Sequence, residues 1–216
     1  MKRIILAVIA VCSFQLLMAQ SQIGSSILGT AHEDRTGRGV AISATGDTVV
    51  VGSPVNVSSK KGYVKVYYDN SGTWTQIGST ISGANARDDF GTSVDISADG
   101  KTVVIGAFDG DYAEVYKLNS GSWSKLGGTI SGISSTDFGW DVSISADGET
   151  VAVSAIYDEK SGQDDRGIVR VYDYSSGLSS WVQRGNDIVG EADNDNSGIA
   201  ISLSADGNRV AIGAHK

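Results

Sequence analysis

One passage of about fifty residues is written four times in this chain. Aligned on one glycine, the copies read Gly37-Arg-Gly-Val-Ala-Ile-Ser43, Gly91-Thr-Ser-Val-Asp-Ile-Ser97, Gly139-Trp-Asp-Val-Ser-Ile-Ser145 and Gly198-Ile-Ala-Ile-Ser-Leu-Ser204. Each closing Ser is followed by Ala-Thr-Gly or Ala-Asp-Gly. A second motif follows in each copy: Val51-Gly-Ser-Pro54, Ile105-Gly-Ala-Phe108, Val153-Ser-Ala-Ile156 and Ile212-Gly-Ala-His215. A repeat of this length is one supersecondary unit. It cannot bury its apolar face alone and must stack on its neighbours.

Each unit parses into four strands. In the second they are Phe90–Ser97, Thr102–Phe108, Ala113–Leu118 and Ser122–Ile130. Ala98-Asp-Gly100 joins the first two as a hairpin turn in which Gly supplies the positive φ. Valine and isoleucine dominate those two strands, as expected of strands buried on both faces. The fourth strands carry Trp74, Trp123 and Trp181, each four residues before a Gly. A Trp at a fixed place in each unit reads as a packing anchor. The 28 glycines and single proline suit an all-β chain with many tight turns.

Four antiparallel strands repeated at this period are the signature of a β-propeller blade. The expected fold is an all-β propeller of four-stranded antiparallel blades, about three and a half of them. The units span residues 20–81, 82–130, 131–188 and, in part, 189–216. Gln22-Ile-Gly-Ser-Ser-Ile27 matches Gln76-Ile-Gly-Ser-Thr-Ile81, so the units open on a fourth-type strand. No copy of Gly62-Tyr-Val-Lys-Val-Tyr67 follows the last pair of strands. The expectation is therefore an incomplete ring, part of a longer propeller. The alternative is a homodimer that completes a ring of about seven blades through its open edges.

Phe90-Gly91 and Phe138-Gly139, with Ile105-Gly106-Ala107, resemble the FG-GAP repeats of integrin α-subunit propellers. Thr36-Gly37 and Ser197-Gly198 depart from Phe-Gly, and Ser154 stands where a Gly is expected. The resemblance implies cell-surface adhesion or matrix binding. It also implies calcium, carried in those repeats between the first and second strands. Here that place holds only the tight Ser-Ala-Asp-Gly turn, so that site does not carry over.

Residues 1–19 are a different text. Lys2 and Arg3 precede an apolar run to Val11, and Ala19 is a small exit residue. This describes a secretory signal peptide, too short for a spanning helix. The expected location is therefore secreted or extracellular, with no transmembrane segment in the mature chain. The only cysteine, Cys12, lies inside the leader, so the mature chain has no thiol or disulfide. Loss of Lys2 and Arg3 takes the formal charge from −8 to −10. Such a chain is repelled by phosphate backbones, which argues against nucleic acid as a partner.

Blade topology sorts the loops onto two faces. One carries short, uniform turns. The other carries variable loops and inter-blade crossings, where binding usually evolves. That face holds Asp34, Asp88, Asp89, Asp109, Asp111, Asp137, Asp158, Glu159, Asp164 and Asp165. Asp193-Asn-Asp-Asn-Ser-Gly198 has the opening spacing of a calcium loop, making Asp193 and Asp195 the metal candidates. The loop lacks the closing Glu, since Ser204 stands there. Asp99, Asp147 and Asp206 belong to the Ala-Asp-Gly turns. His32 and His215 show no metal-ligand spacing, and no nucleophile elbow or phosphate loop is present. Asn56-Val-Ser58 is a glycosylation sequon.

The functional expectation is a non-catalytic binding module that takes a protein or glycan through its acidic loop face. The alternatives are an extracellular hydrolase or lyase with paired carboxylates, and a structural module of a larger secreted protein.

Overall fold

Seventeen strands, and no α-helix, organise the described residues of this computed structural model, which are 22–55, 57, 59–157 and 165–215. The predicted leader with Cys12, the sequon residues Asn56 and Ser58, and Asp158, Glu159 and Asp164 lie outside them.

The first blade holds β1 (Val40–Ile42), β2 (Thr48–Ser53), β3 (Lys61–Asp69), β4 (Trp74–Gln76) and β5 (Ile81–Ala86). The second holds β6 (Val94–Ile96), β7 (Thr102–Ala107), β8 (Tyr112–Asn119), β9 (Ser122–Lys125) and β10 (Ile130–Ser131). The third holds β11 (Val142–Ile144), β12 (Thr150–Ala155), β13 (Ile168–Ser175), β14 (Ser180–Gln183) and β15 (Ile188–Val189). A two-stranded fourth sheet pairs β16 (Ala200–Leu203) with β17 (Val210–Gly213). Every pairing is antiparallel, in the meander order first, second, third, outer strand. The sheets stack as an open arc of a β-propeller.

The predicted fourth strand is two pieces in each full blade. β4 and β5 both pair with β3, and β9 and β10 both pair with β8. The break falls at Gly78 and Gly127, whose φ values of +67° and +73° interrupt extended backbone. Gln22–Ile27, expected as a fourth-type strand, is not a strand. Among the described residues no third strand lies beside it to supply a ladder.

The two short motifs of each repeat form one device. The two motif positions stand fifteen residues apart in every unit, with Gly at both in all but the third, where Ser154 holds the second. The N–H of Gly37, Gly91, Gly139 and Gly198 donates to the carbonyl of Gly52, Gly106, Ser154 and Gly213 at 2.8–2.9 Å. The second-motif glycine also lets the next blade approach. A Cβ on Gly106 would lie 2.2 Å from the Gly139 oxygen of the third blade.

The turn between first and second strands is built as the sequence predicts. Ser97 Oγ accepts from Thr102 N–H at 2.9 Å and donates to Asp99 Oδ1 at 2.7 Å. Ser145 with Asp147 and Ser204 with Asp206 repeat the contact. These aspartates are held as turn formers.

The core lies between blades. Val103 and Ile105 face back onto Val50, Val64 and Val66 of the first blade. Val104, one residue out of phase, faces forward onto Val142, Val151 and Val153 of the third. This period-two alternation is why the second strands read as unbroken apolar runs. Phe90 and Phe138, the Phe of each Phe-Gly, are fully buried wedges in these two cores.

Candidate functional site: the loop face and the channel mouth

The loop-face aspartates divide into two groups. The first group is consumed by the fold. Asp34 Oδ2 accepts from Thr30 N–H and Ala31 N–H at 2.9 Å, from Thr30 Oγ1 at 2.5 Å and from Tyr63 Oη at 2.8 Å. Asp88 accepts from Asn85 N–H at 3.0 Å and Tyr112 Oη at 2.5 Å. Asp195 accepts from Ala192 N–H at 2.7 Å. All three precede the motif glycine by three residues, and all three are buried. Thr136 takes this place in the third unit and donates to the Ile133 carbonyl at 2.8 Å. Asp111 joins two blades by accepting from Ser135, Thr136 and Phe138 N–H at 2.6, 3.0 and 3.2 Å. Burial works against the Asp34 carboxylate, but its four donors prevail and hold its pKa at about 2.

The second group is Asp89, Asp109 and Asp137. Asp89 and Asp137 stand two residues before the motif glycine, in left-handed backbone that Asp tolerates better than most residues (φ +51° and +55°). Arg35 and Asn196 hold the same place, with φ +49° and +46°, in the first and fourth units. Asp89 is 3% exposed, and its Oδ1 has no hydrogen-bond partner. Burial, with Asp109 next in weight, raises its pKa. Asp109 is exposed on a single 3-10 turn, Phe108–Gly110, and is raised by burial and by Asp111 and Asp88. Burial and the charges of Asp109 and Asp111 lift Asp137 to about 6. Asp109 links the group: its charge bears on both Asp89 and Asp137, and Asp88 and Asp111 add to the same field. Asp165 stands apart, in left-handed backbone at φ +46°.

The calcium reading meets a specific geometry at Asp193 and Asp195. Asp193 is exposed and ion-pairs with Arg166 Nε at 2.8 Å, while Asp195 turns inward to its backbone cap. The two carboxylates serve different partners and do not share a cage. Among the described residues no three His, Cys, Asp or Glu side chains converge as a metal set.

Sequence reasoning missed a ladder of side chains between the innermost strands. Asp95 Oδ2 accepts from Ile144 N–H at 2.8 Å and Ser143 Oγ at 3.0 Å. Asp141 accepts from Ser93 Oγ at 2.6 Å and Ile201 N–H at 2.7 Å. Burial raises both carboxyls. The available signal was an Asp alternating with Val or Ile inside a strand, where small residues stand in the other units.

Just outside this ladder the concave wall opens into a cavity of about 320 Å³ at the channel mouth. Its lining includes Arg38, Thr92, Trp140, Asp141 and Ile199. Trp140 is half-buried and meets the Phe108 ring edge-on, with centroids 5.2 Å apart. The Trp140 backbone N–H donates to the Asp137 carbonyl at 3.0 Å, which fixes the turn that carries both residues.

The FG-GAP repeat family matches residues 74–123. The chain carries an FG-GAP repeat. The matched window runs from the first outer-strand tryptophan to the next, and it encloses Phe90-Gly91 and Ile105-Gly106-Ala107. A comparison with curated proteins finds no match. Among solved structures, a candidate 6-phosphogluconolactonase from Bacteroides uniformis ATCC 8492 superposes with a TM-score of 0.55 at 11% identity, covering 80% of this chain and 46% of that one. A second, from Bacteroides fragilis NCTC 9343, gives 0.53 at 12%, covering 80% and 40%. Hydrazine synthase from Kuenenia stuttgartiensis gives 0.52 at 16%, covering 82% and 43%. The chain spans less than half the length of each of these structures. At such identities the likeness shows the fold alone.

Proposed function

We propose that this FG-GAP chain is a non-catalytic binding module of a secreted or surface-exposed protein, and that it takes its partner on the loop face. The observation that carries the reading is a contrast within the repeat. Glycines, turns and staples recur from unit to unit, while the left-handed place beside the channel changes from Arg35 to Asp89, Asp137 and Asn196. A rigid scaffold that holds changing side chains at one face is the arrangement of a recognition surface. Exposed Asp109 and half-buried Asp137 supply its charge, and the leader-like residues 1–19 support export. No described helix is long and apolar enough to cross a membrane.

A hydrolytic reading draws on two facts. Asp137 titrates at about 6, in reach of Asp109, as a general acid would. Two of the similar structures bear a lactonase name. Against it, a phosphorylated lactone would meet three carboxylates and repulsion.

The test is an array of extracellular proteins and glycans probed with the mature chain and with an Asp109→Asn/Asp137→Asn variant. Binding that the variant loses supports the module. Lactone hydrolysis by the chain, abolished in Asp137→Asn, would replace it with the enzyme reading.

A further inference from the structure

We propose that the channel-mouth cavity is a binding site for a neutral pyranose sugar, with Trp140 as its platform and Arg38 and Thr92 as its polar wall. This rests on the binding-module reading and names the ligand class of that face.

The four tryptophans of the chain do two different jobs. Trp74, Trp123 and Trp181 donate their indole N–H to the carbonyls of Ile23, Ile77 and Leu126 across a joint. Trp140 has no such acceptor among the described residues and borders the cavity instead. It stands immediately after the motif glycine. The equivalent residues are Arg38, Thr92 and Ile199, and all of them line the same cavity. The flanking positions are uniform, with glycine before and Val or Ile two residues after. A position needed for stacking would hold one residue type in every unit. This one holds four chemistries around a single space.

Those chemistries match a pyranose. Its ring has a face of C–H groups that lies flat on an indole, which is apolar in body and polar at its N–H. Its hydroxyl rim needs donors and acceptors at the edge of that face. Arg38 donates and is exposed, and the Thr92 hydroxyl, which donates to the Asp89 carbonyl at 2.8 Å, keeps acceptor capacity. Asp89, Asp109 and Asp137 nearby disfavour a sugar that carries carboxylate or sulfate. The volume of about 320 Å³ lies within the about 300–1,000 Å³ usual for small-molecule sites and is enough for one or two sugar rings.

The experiment is calorimetric titration of the mature chain with maltotetraose, cellotetraose and lactose. At least one is expected to bind, and Trp140→Ala and Arg38→Ala are each expected to weaken it by about tenfold or more. Trp140 touches Phe108, so a thermal melt checks that variant. If it fails to fold, Arg38→Ala and Thr92→Ala decide, since Arg38 and Thr92 lie outside both apolar cores. No binding of any of the three sugars, or unchanged affinity in the folded variants, overturns the sugar site. An array partner lost in Asp109→Asn/Asp137→Asn while the sugars stay silent would overturn only this inference and leave the loop-face module standing.

Discussion

Trp123 reaches across the first joint and donates its indole N–H to the carbonyl oxygen of Ile77 at 2.9 Å. Trp181 repeats the contact to Leu126 at 2.8 Å, and Trp74 repeats it to Ile23 at 3.0 Å. Each acceptor precedes a glycine in left-handed backbone, at Gly24, Gly78 and Gly127. Trp123 and Trp181 thus rivet the outer edge of one blade to the kink in its predecessor's outer strand, and Trp74 holds the segment that precedes the first blade in the same way.

Trp123→Ala removes both the ring and the rivet. The expected loss is about 3 kcal/mol, the low end for a large aromatic because the ring is half-buried. Trp123→Phe keeps most of the packing and is expected to lose about 1 kcal/mol for the hydrogen bond. Urea unfolding of both variants checks the order. A loss under about 1 kcal/mol for Trp123→Ala, coupled to weakened partner binding, would mark the ring as a surface contact.

Gly106→Ala puts a methyl group 2.2 Å from the Gly139 carbonyl oxygen. The joint must open to admit it, and the expected cost is about 2–3 kcal/mol. Gly128→Ala is the control, because a Cβ there meets nothing within 4 Å. It is expected to stay within about 0.5 kcal/mol of the parent. Equal melting temperatures for the two variants would contradict the close approach of the blades.

Tyr112→Phe takes a donor from buried Asp88 and the acceptor from Ala84 N–H, bonds of 2.5 and 3.2 Å. The expected destabilisation is about 1–3 kcal/mol. Tyr63→Phe removes one of four donors from Asp34 and is expected to cost less. Paired thermal melts read the difference.

Asp137 has a folded pKa of about 6 against an ordinary value of 3.8. Between these values the native state binds more protons than the unfolded one. Its contribution to stability therefore falls as pH rises from 3.8 to about 6, and stays low above that. Asp137→Asn is expected to raise the melting temperature at pH 7.5 and to leave it unchanged near pH 3.5. Asp34 runs the other way. Its stabilisation is present above 3.8 and is lost as pH falls from 3.8 through about 2. A variant melting curve parallel to the parent at both pH values would rule out the Asp137 shift.

Place in a loop is what marks Asp34, Asp88 and Asp111 as recognition carboxylates in the sequence, and Asp195 as a metal candidate. The structure shows each of them occupied by backbone N–H groups. Loop residues a few places before a motif glycine cap the chain reversal between blades, and an Asp oxygen is suited to do so. Sequence shows that such a residue is acidic, but not whether its oxygens are already spent. Asp95 and Asp141 were overlooked for the converse reason. Their partners at Ile144 and Ile201 are 49 and 60 residues away, and no local pattern announces a bond of that span.

The repeat, its four-stranded unit, the Ala-Asp-Gly turns and the tryptophan anchors follow from the sequence alone. They rest on period-two patterning, on turn chemistry and on spacing, which are local properties of the chain. The division of the loop acids into staples and an unsaturated trio required the tertiary structure. So did the separation of Trp140 from the three anchoring tryptophans, and the split of each outer strand at its glycine. These depend on which groups from different blades meet. Blade stacking sets that geometry over distances that no local sequence pattern encodes.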